Sequence, residues 1–303
     1  MIHAHLEFYL KKNLRSPKSA DAYLFDIDRF IRENPGYATY GYREISAWFA
    51  RLNDRYRRED GRVTSSVARI FTSVKWLYTF LVHDGTRDTH PFPPGFRIRG
   101  TRKKGTDGSG ILTPSELETL LMHVRTEPMR FGTLRLRNLV IVSLLVYQAL
   151  TSRELVNLTV DDISLDAGTV RVRRTLSTQA RTLPLHPSQY MLLHNYLTEC
   201  RPKLVEVPEL DRRFIAGTRG GGTVDMICRL LLRYGLVFGG KPVTAENIRK
   251  SVIYNRLNVD KQSVADVQVF AGHKLPSTTE GYVSKIDFAD RDAINAVHPM
   301  EFL

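Results

Sequence analysis

The sequence predicts a mainly helical fold with one small β-hairpin, an α+β protein of two domains. Apolar residues recur at three- and four-residue spacing through most of the chain, as in amphipathic helices. Alternation of apolar and polar residues, which is typical of strands, occurs at 169–174 and 181–185. The chain of 303 residues also exceeds the usual size of one domain.

Residues 1–96 are predicted to form an all-helical domain. Stretches with helical apolar spacing predict helices at 19–33, 45–52 and 65–82. The third stretch is apolar enough to form the centre of a helical bundle. The segment HPFPPG at 90–95 then ends the helical pattern, because proline lacks the backbone N–H donor.

A linker is predicted at 97–112, since this segment is rich in glycine and basic residues and poor in apolar ones. The second domain is expected over 113–303, with a C-terminal tail from about residue 287. It opens with a strong helix start. Thr113 can cap the helix, Pro114 suits its first turn, and Glu116 completes a capping box.

The remaining elements of the second domain follow from the same patterns. Helices are predicted at 134–149, 152–158, 188–199, 226–234, 245–257, 264–272 and 277–286. The two alternating segments are expected to pair as a hairpin about a polar turn. Ser277 and Glu280 have the spacing of another capping box and predict the start of the last helix.

Composition limits the class of protein. A net charge of +12 indicates a polyanionic partner, and residues 1–110 carry 20 Lys and Arg against 12 Asp and Glu. No apolar run approaches the roughly 20 residues needed to cross a bilayer, and no signal peptide is recognised, so a cytoplasmic protein is predicted. Cys200 and Cys228 lack metal-ligand spacing and Gly220–Gly222 lacks the lysine of a phosphate-binding loop. No metal or cofactor is expected.

Five segments carry a family resemblance. They are QALTSRELVNL at 148–158, VDDISL at 160–165, RTLPL at 181–185, NIRKSVI at 247–253 and AGHKLPSTTEGY at 271–282. Their order and spacing resemble those of tyrosine recombinases, the phage-integrase family. Their residue sequences look closest to those of integrases from Bacteroidetes. The first domain is similar to that family's core-binding domain. The resemblance implies a helical core-binding domain followed by a catalytic domain.

The resemblance also implies a chemistry and its residues. In this family a tyrosine attacks a DNA backbone phosphate and leaves a 3′-phosphotyrosine and a free 5′-hydroxyl, without metal or cofactor. Tyr282 matches the nucleophile. His273, nine residues earlier, matches a histidine that donates a hydrogen bond to the scissile phosphate. Arg249 matches the arginine of the His-x-x-Arg box, and its planar guanidinium can hold two phosphate oxygens at once.

Three positions depart from the family pattern. Thr151 stands where the family has its first arginine, Glu246 replaces the histidine of the His-x-x-Arg box, and 173–181 contains no lysine to act as the general acid. Arg153 and Arg174 are the nearest candidates to supply the missing cations. An arginine can stabilise developing negative charge, but its pKa above about 12 makes it a poor proton donor.

Two functions from different classes stay open. The first is a site-specific recombinase or integrase that cleaves and rejoins DNA; type IB topoisomerase-like relaxation would use the same chemistry without pairing two sites. The second is a DNA-binding protein that has lost catalysis and acts as an architectural or regulatory factor. Removing one electrostatic group commonly costs about 10²–10³ in rate, so uncompensated losses would leave little activity.

The expected partners follow from the first function. They are double-stranded DNA and further copies of the chain, with four protomers on two DNA sites and a monomer or dimer without DNA. The C-terminal segment from Asp287 to Leu303 contains the apolar residues Ile294, Val297, Phe302 and Leu303. It is expected either to dock on a neighbouring protomer or to fold back on its own domain.

Overall fold

The computed structural model describes residues 2–14, 17–56, 64–93, 110–129, 131–205, 211–216 and 222–283. Contacts within the chain divide it into two compact units, Met1–Lys103 and Lys104–Leu303. Most of the predicted linker, 97–109, lies outside the described residues. The predicted C-terminal tail and two members of the glycine run, Gly220 and Gly221, also lie outside them.

The first unit is helical. Its helices are α1 (Ile2–Asn13), α2 (Pro17–Glu33), α3 (Tyr42–Arg55) and α4 (Ser65–His83). The last three confirm the predicted helices to within a few residues at each end. The sequence patterns do not predict α1, because its buried residues Leu6 and Leu10 flank the exposed Phe8 and are followed by two lysines.

Helix α4 lies at the centre of the first unit, as its apolar sequence predicts. Val74, Leu77 and Tyr78 on this helix are fully buried. The Tyr78 hydroxyl donates a hydrogen bond to the carbonyl oxygen of Tyr37 at 2.8 Å, so its polar end is satisfied inside the core. The bundle therefore has one apolar core of its own, separate from that of the second unit.

The second unit contains eight α-helices among its described residues. They are α5 (Pro114–Thr126), α6 (Gly132–Tyr147), α7 (Ser152–Asn157), α8 (Gln189–Asn195), α9 (Thr223–Leu232), α10 (Ala245–Asn258), α11 (Val264–Ala271) and α12 (Pro276–Glu280). Helix α5 begins with the predicted capping box of Thr113 and Glu116. Helix α6 is the central one, since every residue from Arg137 to Val146 is buried. No helix in the described part of the chain is long and apolar enough to cross a membrane.

A small antiparallel sheet accompanies these helices. Its strands are β1 (Ile163–Ser164), β2 (Thr169–Val172) and β3 (Arg181–Pro184), in the order β1-β2-β3. The predicted hairpin is thus confirmed as β2 and β3, with Val170 opposite Leu183 and both side chains in the core. The two-residue strand β1 is too short to show the alternation that identifies strands in a sequence.

The helix predicted over 188–199 is confirmed as α8 and its continuation, a π-helix at Tyr196–Cys200. The last predicted helix, 277–286, is wrong at both ends, since α12 stops at Glu280. The capping box of Ser277 and Glu280 does not form, because α12 begins one residue earlier, with Leu275 as its N-cap and Pro276 in its first turn. Proline has a backbone φ suited to the first helical position, and this places Ser277 inside the helix.

Candidate active site

Tyr282 follows α12 and is half-buried. Its ring packs against an apolar cluster of α10 and α11 that consists of Ile253, Leu257, Val267 and Ala271. Its backbone N–H donates to the Thr279 carbonyl oxygen at 2.9 Å, and its own carbonyl oxygen accepts from Asn258 Nδ2 at 2.9 Å. The phenolic oxygen has no hydrogen-bond partner within the described residues. The backbone is held firmly while the hydroxyl stays available for reaction.

His273 lies beside Tyr282. Their rings are nearly parallel, with an interplanar angle of 14° and 6.0 Å between centroids. Only 9% of His273 is exposed, and its Nδ1 lies 2.8 Å from Oγ1 of Thr279. Burial, with the positive charges of Arg249 and Arg181, lowers the pKa of the His273 imidazole to about 4. This histidine is therefore neutral at neutral pH.

Gly272 orients the histidine. It ends α11 in the left-handed conformation, with φ of +68°. A Cβ at this position would approach Arg181 Nη1 to 2.7 Å, so both backbone angle and space require glycine. The adjoining chain is tied to the β2–β3 turn: Gln179 N–H donates to the Gly272 carbonyl oxygen at 2.8 Å, and Lys274 Nζ donates to the Leu176 carbonyl oxygen at 2.8 Å. These bonds hold the hairpin turn against the segment that carries His273.

Arg249 lies on α10 with 8% of its surface exposed. Its Nη1 donates to the Ala149 carbonyl oxygen and its Nη2 to the Ala271 carbonyl oxygen, both at 2.6 Å. Ala271 is the last residue of α11, where backbone carbonyls lack helical partners and carry partial negative charge, and Ala149 lies two residues after the end of α6. Ala149 has φ of +50°, a conformation that costs an alanine about 1 kcal/mol. These two bonds fix the guanidinium. They use two of its five N–H groups, and the other three take no part in them.

A buried ion pair supports this region. Glu154 of α7 accepts from Arg181 Nη1 at 2.6 Å and Nη2 at 3.2 Å, from Thr178 Oγ1 at 2.7 Å and from the Thr151 N–H at 2.9 Å. Its second oxygen lies 3.9 Å from Arg249 Nη1. Burial alone would raise the pKa of the Glu154 carboxyl, but the hydrogen bonds and charge of Arg181 hold it below its usual value. Glu154 thus links α7, the hairpin and α10.

Sequence reasoning missed Glu154, Arg181 and Thr279. The spacing Thr151-x-x-Glu154 is a capping box, and the structure confirms it as the start of α7. Arg181 occupies an inward position of β3, where the alternation predicts a buried residue. Those two signals were available in the sequence. The contact of Thr279 with His273 depends on how α12 packs, and no local pattern indicates it.

Thr151 joins this cluster through the bond from its N–H to Glu154, and it serves as the N-cap of α7. The other candidate residues form none of the cluster's hydrogen bonds. Arg153 and Arg174 are exposed, and neither has a hydrogen-bond or ion-pair partner in the described parts of the chain. Glu246 is mostly exposed, with its carboxylate 2.7 Å from Lys250 Nζ. The structure brings Tyr282, His273 and Arg249 together, and within the described residues Arg153 and Arg174 form no hydrogen bond or ion pair with them.

The electrostatics of the cluster favour an anionic substrate. Burial raises the pKa of the Tyr282 phenol, whereas the charges of Arg249 and Lys250 oppose that rise. A half-buried phenol, a neutral imidazole and a fixed guanidinium can serve as nucleophile, hydrogen-bond donor and charge stabiliser for a phosphoryl group. Among the described residues, no three His, Cys, Asp or Glu side chains are grouped closely enough to hold a metal ion.

Comparison with known proteins identifies the family. The sequence model described as "Phage integrase family" matches residues 111–287, more than half of the chain. The chain belongs to the phage integrase family. All of the cluster residues, from Thr151 to Tyr282, fall within the matched segment. The resemblance of the sequence motifs to tyrosine recombinases is thereby confirmed.

Curated relatives agree with this assignment. Tyrosine recombinase XerD of Listeria monocytogenes serovar 1/2a is 26% identical over 311 residues, covering 99% of this chain and 98% of its own. XerD of Xanthomonas campestris is 29% identical over 279 residues, covering 88% of this chain and 81% of its own. The family resemblance extends through both units.

Solved structures share the fold. XerH recombinase bound to a palindromic difH substrate superimposes with a TM-score of 0.70 at 16% identity, covering 96% of this chain and 84% of that one. The Tn1549 transposon integrase in complex with circular intermediate DNA gives a TM-score of 0.69 at 15% identity, covering 96% and 98%. A lambda integrase dimer bound to a core site gives 0.64 at 20% identity, covering 92% and 75%.

Acidification is expected to destabilise the wild-type protein more steeply than the His273→Gln variant. The unfolded chain protonates this imidazole near pH 6.5, whereas the folded protein keeps it neutral down to about pH 4. The unfolded state therefore binds an extra proton between these values, and stability falls as the pH falls. One proton contributes at most about 1.4 kcal/mol per pH unit. Urea titrations at about pH 7, 6 and 5 measure both slopes, and equal slopes would contradict the buried neutral imidazole.

Proposed function

We propose that the protein is a site-specific DNA recombinase that cleaves and rejoins DNA strands through a 3′-phosphotyrosine intermediate on Tyr282. One observation carries the proposal. Within the segment that matches the family, a phenol whose hydroxyl has no partner among the described residues stacks on His273, and the charge of Arg249 acts on it.

The proposed reaction conserves bond energy. The Tyr282 oxygen attacks phosphorus, an ester bond to the tyrosine forms, and the bond to the 5′-oxygen breaks. The phenol loses a proton and the departing 5′-oxygen gains one. Attack by a 5′-hydroxyl on the phosphotyrosine reverses these changes and rejoins a strand, so no nucleotide or other energy source is consumed.

Arg249 and His273 have distinct proposed roles. The free N–H groups of Arg249 face the charge that develops on the phosphoryl oxygens, and its two carbonyl contacts keep the guanidinium in place before the substrate arrives. His273 is neutral and donates one hydrogen bond to a phosphoryl oxygen. The charge of Arg249 also favours ionisation of Tyr282 against the effect of burial.

We propose that Arg153 or Arg174 supplies the positive charge that Thr151 and the lysine-free hairpin do not. Both arginines are exposed and have no partner within the described residues, so neither must break an ion pair to reach a phosphate. Arg171 and Arg173 differ, because each forms an ion pair with the buried carboxylate of Asp162.

Arg153→Ala or Arg174→Ala is expected to slow covalent adduct formation by about 10²–10³-fold, the usual cost of removing one charge-stabilising group. Arg173→Ala is the matched control, since it removes a neighbouring arginine that is already paired. The rate is measured with saturating DNA, so that weaker binding does not contribute. Unchanged rates in both test variants would exclude these arginines from the reaction.

The proposed assembly consists of four protomers on two double-stranded DNA sites, with a monomer or dimer in the absence of DNA. The net charge of +12 supports a polyanionic partner. The DNA-bound forms of XerH, the Tn1549 integrase and lambda integrase support double-stranded DNA as that partner. The mass of the protein–DNA complex in solution tests the number of protomers.

Covalent capture tests the proposed function. A pool of DNA duplexes with a randomised core and staggered nicks is incubated with the full chain, and DNA that resists detergent is sequenced. The nick lets the short 5′-hydroxyl fragment diffuse away, which traps the protein on the 3′ end. A second selection under native conditions recovers DNA that is bound without a covalent bond.

The two selections separate the candidate functions. Detergent-resistant DNA with a common sequence supports the recombinase, and joined products from two such sites distinguish it from a topoisomerase, which would only relax supercoils. Tight and sequence-specific binding without any adduct would overturn the proposal in favour of a DNA-binding protein with an architectural or regulatory role.

A further inference from the structure

Thr279 on α12 is fully buried, and its hydroxyl faces the catalytic histidine. Its Oγ1 lies 2.8 Å from Nδ1 of His273. Within the described residues this is the only hydrogen bond of the hydroxyl, although a threonine in a helix often bonds to the carbonyl four residues earlier. Among the described residues, Nδ1 of His273 is thus the one hydrogen-bond partner of the Thr279 hydroxyl.

The position of the imidazole proton follows from counting donors. A neutral imidazole carries one N–H and one acceptor nitrogen. If Nδ1 held the proton, it would donate to Oγ1, and the hydroxyl hydrogen of Thr279 would be buried without an acceptor. An unsatisfied buried donor costs about 1–3 kcal/mol. If Thr279 donates to Nδ1 instead, its hydrogen is satisfied and the imidazole proton is on Nε2.

The charges around the ring agree with this arrangement. Arg249 and Arg181 oppose a second proton on the imidazole, while the Glu154 carboxylate favours one more weakly. His273 is therefore neutral, and its tautomer depends on the hydrogen bond at Nδ1. The main-chain N–H of His273 donates to the Gln268 carbonyl oxygen at 3.0 Å, and its carbonyl oxygen accepts from Gln268 Nε2 at 3.2 Å, so the backbone is fixed as well.

We propose that Thr279 is a positioning residue that donates its hydroxyl hydrogen to Nδ1 of His273 and so holds the imidazole in the Nε2–H tautomer. The assignment of the tautomer does not depend on the proposed function; only its effect on strand cleavage rests on that function. In strand cleavage, this tautomer presents Nε2–H as a donor to a phosphoryl oxygen. The opposite tautomer would present a lone pair to an anion and would repel it.

Two substitutions of Thr279 separate hydrogen bonding from packing. Thr279→Val keeps the shape of the side chain and removes the hydroxyl. Thr279→Ser keeps the hydroxyl and removes a methyl group. If Thr279 acted only through packing, serine would be the more damaging change. If Thr279 acts through the hydrogen bond, the change to valine is the more damaging one.

The tautomer can be observed without DNA. Two-bond ¹H–¹⁵N spectra of the ¹⁵N-labelled full chain distinguish protonated from unprotonated ring nitrogens, and His273→Gln identifies the signal. We expect the Nε2–H form in the wild type and in Thr279→Ser, and a mixture of tautomers in Thr279→Val. The Nδ1–H form in the wild type, or an unchanged tautomer in Thr279→Val, would overturn the proposal; the wild-type spectrum decides even if the valine variant fails to fold.

Strand cleavage gives the second measurement. Adduct formation should slow by about 10- to 100-fold in Thr279→Val, the loss typical when a hydrogen-bond partner that orients a metal-bound histidine is removed, and should recover in Thr279→Ser with DNA binding unchanged in both. A valine variant with the altered tautomer and the wild-type rate would overturn the catalytic consequence. Absence of an adduct in the wild type would reject the proposed function and leave the tautomer result standing.

Discussion

Tyr282→Phe is expected to abolish the covalent protein–DNA adduct while DNA binding and folding stay unchanged. The variant removes only the hydroxyl, which is the proposed attacking group. Because that hydroxyl has no hydrogen-bond partner within the described residues, no structural contact is lost. The phenylalanine ring can keep the packing on His273 and on the apolar cluster of α10 and α11. The loss is complete because no phosphotyrosine can form.

The adduct is measured as a detergent-resistant gel shift of a labelled, nicked DNA duplex of the kind that traps the protein on the 3′ end. Tyr190→Phe is the control, since Tyr190 is another partly exposed tyrosine of the same unit and has no place in the site. It should form the adduct at the wild-type rate. An adduct that persists in Tyr282→Phe would show that another residue is the nucleophile, and peptide mapping of the linked DNA would locate it.

The helical framework could be predicted because its signals are local. Periodic apolar residues indicated α2, α3 and α4, and the capping box at Thr113 gave the start of α5. Errors arose where a neighbouring residue changed the local preference. Pro276 moved the start of α12, and an exposed Phe8 obscured the buried face of α1.

Part of the candidate site could likewise be predicted from local signals, and part of it could not. Tyr282, His273 and Arg249 could be chosen from motif spacing, and the structure places them in one cluster. The pairing of Glu154 with Arg181 joins residues 27 positions apart, which no local pattern specifies. From the sequence, Thr151 stands out only as the position where the family has an arginine. The structure adds that its side chain caps α7, so the substituted position has a role in local folding.

The second large effect is expected from Glu154. Its carboxylate is fully buried and holds Arg181, whose side chain is 3% exposed. Glu154→Ala would leave that guanidinium charged, buried and unpaired, and would remove the acceptor for the Thr151 N–H at the start of α7. Breaking a buried pair in this way commonly costs about 3–5 kcal/mol. Calorimetry of the full chain measures the loss, and hydrogen exchange of α7 peptides assigns it to the second unit.

Two further variants distinguish a buried ion pair from simple loss of charge. Glu246→Ala removes an exposed carboxylate paired with Lys250 at i,i+4 and should cost no more than about 0.5 kcal/mol. Glu154→Leu with Arg181→Met replaces both charges by apolar side chains and should recover most of the stability lost in Glu154→Ala, because no unpaired charge is then buried. If the double variant is as unstable as Glu154→Ala, the loss comes from the missing cap and packing of α7. Recovery of stability without recovery of the adduct would instead show that the pair holds the hairpin and Arg249 in the geometry that Tyr282 requires.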